Sequence, residues 1–301
     1  MKSEAIVELG KPLQTIETET PTPKGKEVLL KITHSGVCHS DVHIHDGYFD
    51  LGGGNKLPVG AMLNLPHTMG HEIEGEVVGI GPDVNDIEIG SNVVAYPWIG
   101  CGDCSTCSDG DEHYCNAPRQ LGIQLPGGFA DYCIVPDSKY VLDYEGIRPG
   151  LAATYMCSGL TAFGALKKIV NISDNDHILI MGLGGVGMMG LQFARSLFNC
   201  KILAADIDPN KLQAAKGAGA DEVYDTSDEQ SLKKLLEDTG GGVKATVDFV
   251  GAEKTLQYCM ESTKKGGQVV VVGLFGGGFQ MPIPMFPLTA KSIGGSFVGS
   301  L

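Results

Sequence analysis

The chain has 301 residues, 43% apolar and 19% charged, the profile of a globular protein with room for one large or two medium cores and no disordered tract. A formal charge of -14 sets its surface against phosphate backbones and anionic lipid, whose binding needs clustered Lys and Arg, so nucleic-acid and membrane partners are discounted. The opening MKSEAIVELG lacks the apolar core and cleavage site of a secretory signal, and the expected compartment is the reducing cytoplasm, where nine cysteines stay free as metal ligands or small apolar residues.

In chain order, the first half alternates short apolar runs with turn residues: EAIVEL, EVLLKITHSG, EIEGEVVGIG, NVVAYPW and FADYCIVP. Rich in Val and Ile and bounded by Gly, Pro, Asn and Asp, these predict strands of an all-β unit, with little helical periodicity before about residue 150. From HILIMG (177–182) the pattern becomes strand then helix, repeated through KILAAD (201–206), EVYD (222–225), ATVDFV (245–250), GQVVVVG (267–273) and SIGGSFVG (292–299). PNKLQAAKGAGA and EKTLQYCMESTKK are helical segments between them. Strands spaced by helices imply parallel βαβ units, so the fold class is α/β plus β, with a junction near residues 155–175 and a six-stranded parallel sheet beyond it.

GLGGVG (182–187) fits G-x-G-x-x-G, a weak match alone in a chain with 43 glycines. Its context is specific: it follows the strand HILIM, opens the helix VGMMGLQFARSLF, and is trailed by Asp206, nineteen positions past its last glycine. Gly182 permits the tight turn, Gly184 and Gly185 leave room for a pyrophosphate, and Gly187 allows strand and helix to pack closely. Asp206 would accept bonds from the adenosine ribose and repel a 2'-phosphate, so NAD is expected over NADP.

Cys101, Cys104, Cys107 and Cys115 follow C-x2-C-x2-C-x7-C. Four thiolates in a Gly-, Asp- and Ser-rich loop can close around one structural Zn²⁺; an iron–sulfur cluster, disulfides or bare thiols are the alternatives. Cys38 in GVCHSDVH, His71 in GHEIEG and Cys157 in YMCSGLTAFGAL form a second, dispersed set. Taken singly, each reads as filler of core or surface; together with a nucleotide fold they gain weight as ligands.

GVCHSD (36–41), GHEIEGEVVGIGPDV (70–84), the four-cysteine lobe and GLGGVG, in that order, resemble the zinc-dependent medium-chain alcohol dehydrogenases, and the similarity runs from residue 1 to 301. The resemblance implies a GroES-like, β-rich catalytic domain at 1–158 carrying a zinc lobe at about 96–118. A Rossmann domain would follow at 159–301, with the active site between the two. It implies two zinc ions per chain, one catalytic on Cys38, His71 and Cys157 and one structural on the lobe, together with NAD. Glu72 would be a nearby carboxylate or transient ligand, Asp41 would orient the His71 ring, and Ser40 and His43 would relay the alcohol proton. His39, Thr161, Val186 and Lys211 would contact the cofactor. Zinc lowers the pKa of water from 15.7 to about 7, worth about 12 kcal/mol, whereas a positioned base contributes about 3–5 kcal/mol. The metal would therefore carry most of the deprotonation and His43 drain the proton.

The implied activity is reversible hydride transfer from a primary or secondary alcohol to NAD by a homodimer or homotetramer built through the last Rossmann strand. A polyol dehydrogenase is the same-fold alternative, against which Cys157 argues, because polyol enzymes more often place a carboxylate ligand there. Family members usually continue for several tens of residues that return to the catalytic domain, a segment absent here; a non-catalytic zinc- and nucleotide-binding protein is the alternative this raises. Trp98, Tyr48 and Phe49 are expected either to line an apolar substrate cleft or to pack in loops. His34, His45, His67, His113 and His177 are expected at surfaces or in loops, Cys133, Cys200 and Cys259 in the core, and DTSDEQ at a solvated helix start.

Overall fold

A computed structural model describes residues 1–301 as two compact units. The first comprises 1–49, 57–160 and 299–301, and the second 50–56 and 161–298. The units are not contiguous in sequence: the tip of a hairpin (Tyr48–Gly52 with Asn55–Pro58) belongs to the second and the last three residues to the first. No helix is long and apolar enough to cross a membrane.

The first unit is built on a five-stranded antiparallel sheet in the order Val141–Asp143, Asn92–Ala95, Glu72–Ile80, Val28–Gly36 and Tyr132–Val135. Glu72–Ile80 is central, so it is paired on both edges and rigid where it leaves His71. A smaller sheet joins Gln14–Glu17, Lys2–Ile6 and His67–Thr68. Ile6, Ile44 and Met69 form a buried cluster with Leu9, Leu63 and Phe129, which seats the helix His39–Asp46 through Ile44. That helix is the main element the sequence pattern did not show: eight residues with three histidines carry almost no apolar periodicity.

The second unit is a six-stranded parallel sheet ordered Glu222–Asp225, Lys201–Asp206, His177–Met181, Val243–Asp248, Thr263–Val271 and Ser292–Gly295. Alternate side chains of a strand point to opposite faces, and here both faces are apolar. Ile178, Ile180, Ile202 and Val247 pack on one side with Leu191 and Ala194, whereas Leu179, Met181 and Leu203 pack on the other with Leu235 and Cys259. Each fully buried Ile or Leu contributes about 1.5–3 kcal/mol, which is why these strands read as unbroken apolar runs. Strand Thr263–Val271 starts four residues earlier than the sequence pattern marks, because the preceding helix stops at Ser262. The helix after DTSDEQ begins only at Ser231, so the acidic run is a turn with Asp225 ending the strand before it.

Cys133, Cys200 and Cys259 are buried as expected. His67 and His113 are not surface residues. His67 is buried with Nε2 3.1 Å from the Gly122 carbonyl oxygen, and His113 is buried with its ring centroid 3.8 Å from that of Tyr114. Hydropathy undervalues an imidazole that can bury one flat face and hand its polar edge to a backbone carbonyl.

Candidate metal and nucleotide sites

Cys38 is the N-cap of helix His39–Asp46, so its sulfur sits at the positive end of the helix dipole, where a thiolate is favoured. Asp41, one turn in and buried, accepts the Cys38 N–H at 2.9 Å through Oδ2 and holds Oδ1 3.2 Å from His71 Nδ1. One carboxylate thus fixes the cap residue and the orientation of the imidazole. His71 follows Gly70, whose φ of +93° favours glycine and whose Cβ, if present, would lie 2.6 Å from the Phe129 ring. Gly75 is equally constrained, since a Cβ there would lie 2.6 Å from the Lys31 carbonyl oxygen. The glycines of GHEIEG are steric requirements for delivering His71.

Cys157 sits in a π-helical turn, Tyr155–Gly159, at the start of the helix Leu160–Lys167. The residues on either side are pinned: Trp98 Nε1–H donates to the Met156 carbonyl at 3.0 Å, and Ser158 N–H and Oγ–H donate to Glu72 Oε1 at 3.3 and 2.8 Å. Trp98 is buried with its ring centroid 5.3 Å from that of His71, so it packs the site and takes no part in an open cleft wall. Tyr48 and Phe49 lie on a strand, Phe49 with its ring centroid 4.7 Å from that of His43.

The three separated residues come together. Cys38 Sγ and Cys157 Sγ are 3.8 Å apart, and one ligand atom from each of Cys38, His71 and Cys157 falls within 4.8 Å of the others. Sulfurs bound to one zinc at about 2.3 Å with tetrahedral angles sit about 3.8 Å apart. His71 Nε2 is buried with no hydrogen-bond partner, a state costing about 1–3 kcal/mol unless something occupies that lone pair. The residues fit a zinc ion with three protein ligands and one open position.

Charge in the cluster leads to the same ion. Burial opposes a charged His71 ring, yet Asp41 and Cys38 raise its pKa to about 10. The Cys157 thiol, helped by His71 against burial, lowers Cys38 to about 3. The Cys38 thiolate and burial push Cys157 well up, and burial pushes Glu72 up. The cluster holds a cation among a thiolate, a second thiol and a carboxylate; a divalent ion can replace the ring proton and draw the second thiol's proton off.

In the lobe, Cys104 Sγ lies 3.5 Å from Cys107 Sγ and 3.8 Å from Cys115 Sγ, with Cys101 and Cys107 3.9 Å apart. These separations are too long for disulfides, which need about 2.05 Å. A cubane cluster puts each thiolate on a different iron and spreads the sulfurs wider, so the lobe fits a single tetrahedral ion. The Cys115 sulfur also accepts the Cys101 and Ala117 N–H groups, each at 3.3 Å.

In the second unit, strand His177–Met181 runs into the glycine loop and helix Gly185–Leu197. Gly182 has φ +85°, and a Cβ on Gly187 would lie 1.7 Å from the Gly182 carbonyl oxygen, so only glycine fits there. At Gly184 and Gly185 a Cβ would meet nothing within 4 Å: the space a phosphate needs is open above the helix N-terminus. Asp206 ends strand Lys201–Asp206 buried, with Oδ2 accepting Leu183 N–H at 2.7 Å and Oδ1 accepting Ile207 and Asp208 N–H at 2.8 and 3.0 Å. Three of roughly four acceptor positions are thereby used, so Asp206 ties down the glycine loop and keeps one acceptor position open. Lys211 Nζ lies 3.9 Å from Asp206 Oδ2. Val186 is half-buried in the first turn of the helix, and Thr161 Oγ1 is buried without a partner.

Ser40 and His43 lie three residues apart on helix His39–Asp46 and so share one face; the His39 ring centroid is 5.0 Å from that of His43. Glu74 was not singled out by sequence, being a variable position of the signature, yet it is a buried carboxylate three residues from His71.

A glycine-loop dinucleotide fold and two thiolate-rich metal clusters on one chain define a metal-binding dehydrogenase. Residues 24–145 match the alcohol dehydrogenase GroES-like domain and residues 185–301 the zinc-binding dehydrogenase domain. The NAD-dependent alcohol dehydrogenase of Saccharolobus solfataricus is 37% identical over 302 residues, covering all of this chain and 86% of that protein. An alcohol dehydrogenase structure from Aeropyrum pernix superposes with a TM-score of 0.88 at 28% identity, over all of this chain and 86% of that one. The D-arabinose dehydrogenase of Sulfolobus solfataricus gives 0.87 at 25% identity, over all of this chain and 90% of that one. The chain belongs to the zinc-dependent medium-chain alcohol dehydrogenase family.

Proposed function

We propose that the chain oxidises a primary or secondary alcohol with NAD, reversibly, in the manner of an alcohol dehydrogenase of class EC 1.1.1.1. The observation that carries this reading is the cluster of Cys38, His71 and Cys157 within 4.8 Å, a three-ligand set that leaves a zinc ion one position for substrate. Bound at these sites, zinc supplies Lewis acidity toward the alcohol hydroxyl and NAD accepts the hydride from its carbon. The chain's own residues do the rest. Asp41 keeps the His71 ring turned so that Nε2 faces the sulfurs. Ser40 and His43, on one helix face, take the hydroxyl proton and pass it to solvent. Glu72, held by Ser158, stands beside the ligands. On the second unit, Gly184 and Gly185 receive the pyrophosphate, Asp206 and Lys211 the adenosine ribose, and Thr161 and Val186 the nicotinamide. The thiolate chemistry suits a reducing compartment, the cytoplasm.

The test is metal content together with formation of NADH across a panel of primary, secondary and polyhydroxy alcohols. Two zinc ions per chain and alcohol-dependent absorbance at the NADH band are expected; one zinc and no turnover would leave a nucleotide-binding protein. The likeness to a D-arabinose dehydrogenase supports a second reading, oxidation of a sugar hydroxyl, and D-arabinose belongs in the same panel.

We also infer a homodimer or homotetramer. Strand Ser292–Gly295 is the exposed edge of the parallel sheet, with Ile283, Leu288 and Ile293 exposed near it in sequence, and an open apolar edge pairs readily with a second copy. Sedimentation at micromolar concentration should give at least twice the chain mass, and Ile293→Lys should lower it; a wild-type monomer removes this inference.

A further inference from the structure

We infer that Glu74 is a positioning residue for the catalytic metal, acting through its hydrogen bond to the Gly150 N–H, which locates the segment that carries Cys157. This rests on the reading of Cys38, His71 and Cys157 as metal ligands.

Glu74 lies on the central strand Glu72–Ile80, 1% exposed, and both its carboxylate oxygens are engaged. Oε2 accepts the Gly150 N–H at 2.8 Å; Oε1 accepts the Tyr144 hydroxyl at 3.0 Å and sits 3.2 Å from His34 Nδ1. His34 is its cross-strand partner, next to a break in register between Ile32 and His34. Such bulges re-aim side chains near functional sites. Gly150, at φ +80°, packs on the His34 ring, where a Cβ would come within 3.3 Å, so the chain turns against this cluster and enters the helix Ala152–Thr154 two residues on.

Two residues apart on one strand, Glu72 and Glu74 project from the same face. Glu74 grips the segment at Gly150 and Glu72 grips it at Ser158, so the stretch holding Cys157 is fastened at both ends to the strand that starts beside His71. The distance between the third ligand and the second is thereby set by two carboxylates. Buried acceptors for backbone N–H groups are expensive to lose, because the amide stays buried without a partner.

The experiment follows zinc release from the purified holoenzyme to the chromophoric chelator 4-(2-pyridylazo)resorcinol. The two ions give separate phases, and the phase missing from Cys38→Ser identifies the catalytic one. In Glu74→Ala, and in Glu74→Asp, which keeps the charge but cannot reach Gly150, the catalytic phase should quicken about ten-fold with the lobe phase unchanged. Glu74→Gln, whose amide oxygen can accept from Gly150, should restore the wild-type rate. Glu74→Asp also provides the measurement if Glu74→Ala does not fold. Equal release in wild type and both shortened variants overturns the inference, as does equal acceleration of both phases, which marks general loosening. A wild-type protein holding only the lobe zinc overturns the site reading and this inference with it.

Discussion

Cys38→Ser should bind NAD as wild type does and turn over no alcohol. The substitution removes one of two sulfurs that face each other at 3.8 Å, and it does so at the helix N-cap, where a thiolate is favoured and a serine hydroxyl stays protonated. Serine also caps helices well, so the helix His39–Asp46 with Ser40, Asp41 and His43 should persist and the loss be confined to the metal. On the proposed mechanism, loss of zinc would leave deprotonation to Ser40 and His43, whose share as acid–base groups is about 3–5 kcal/mol against about 12 for the metal. Turnover should drop by at least about 10⁴-fold. The glycine loop and Asp206 belong to the other unit with its own two-faced core, so cofactor binding, read by NADH fluorescence, should change little. Activity above about one per cent of wild type would refute the assignment of Cys38.

What the sequence disclosed about this site follows from how local each signal is. The glycine loop and the four-cysteine lobe are legible because each gathers its partners within a short stretch: Gly187 must clear the Gly182 carbonyl, and the four cysteines fall between residues 101 and 115. Those requirements leave a spacing that can be read directly. Cys157 is different, a lone cysteine in an apolar stretch, and only the family resemblance marked it. Glu74 left no signal and Trp98 only an undecided one, cleft or packing, because their roles depend on partners 76 and 58 residues away. Pairing register creates those contacts, and register is not written in the spacing of one strand. Helix His39–Asp46 was missed for a related reason: only Asp41 and Ile44 of its eight residues are buried, too few to produce a helical period.

Cys104→Ser should show the opposite pattern, a lower melting temperature with the intrinsic rate retained. Between Cys101 and Cys115 the chain forms only two short helical turns, Ser105–Ser108 and Glu112–Tyr114, and just His113 and Cys115 are buried. So little apolar burial cannot order the loop, and the cross-link must come from the ion. One protein anchor exists besides the sulfurs. Glu112 accepts the Gly100 N–H at 3.0 Å, the Tyr140 hydroxyl at 2.5 Å and Lys139 Nζ at 2.6 Å, so the lobe's base should remain attached after zinc is lost. The stability lost is then a fraction of the 10–16 kcal/mol typical of structural zinc in small domains, about 3 kcal/mol, or roughly 6–12 °C for a unit of this size. None of Cys38, His71, Cys157, Ser40 or His43 belongs to the lobe, so kcat measured well below the transition should stay within about two-fold of wild type, while zinc content falls from two per chain to one. A Cys104→Ser protein that melts with wild type would mean the four sulfurs close around nothing that holds the fold; one that is stable but inactive would mean the lobe serves the chemistry directly.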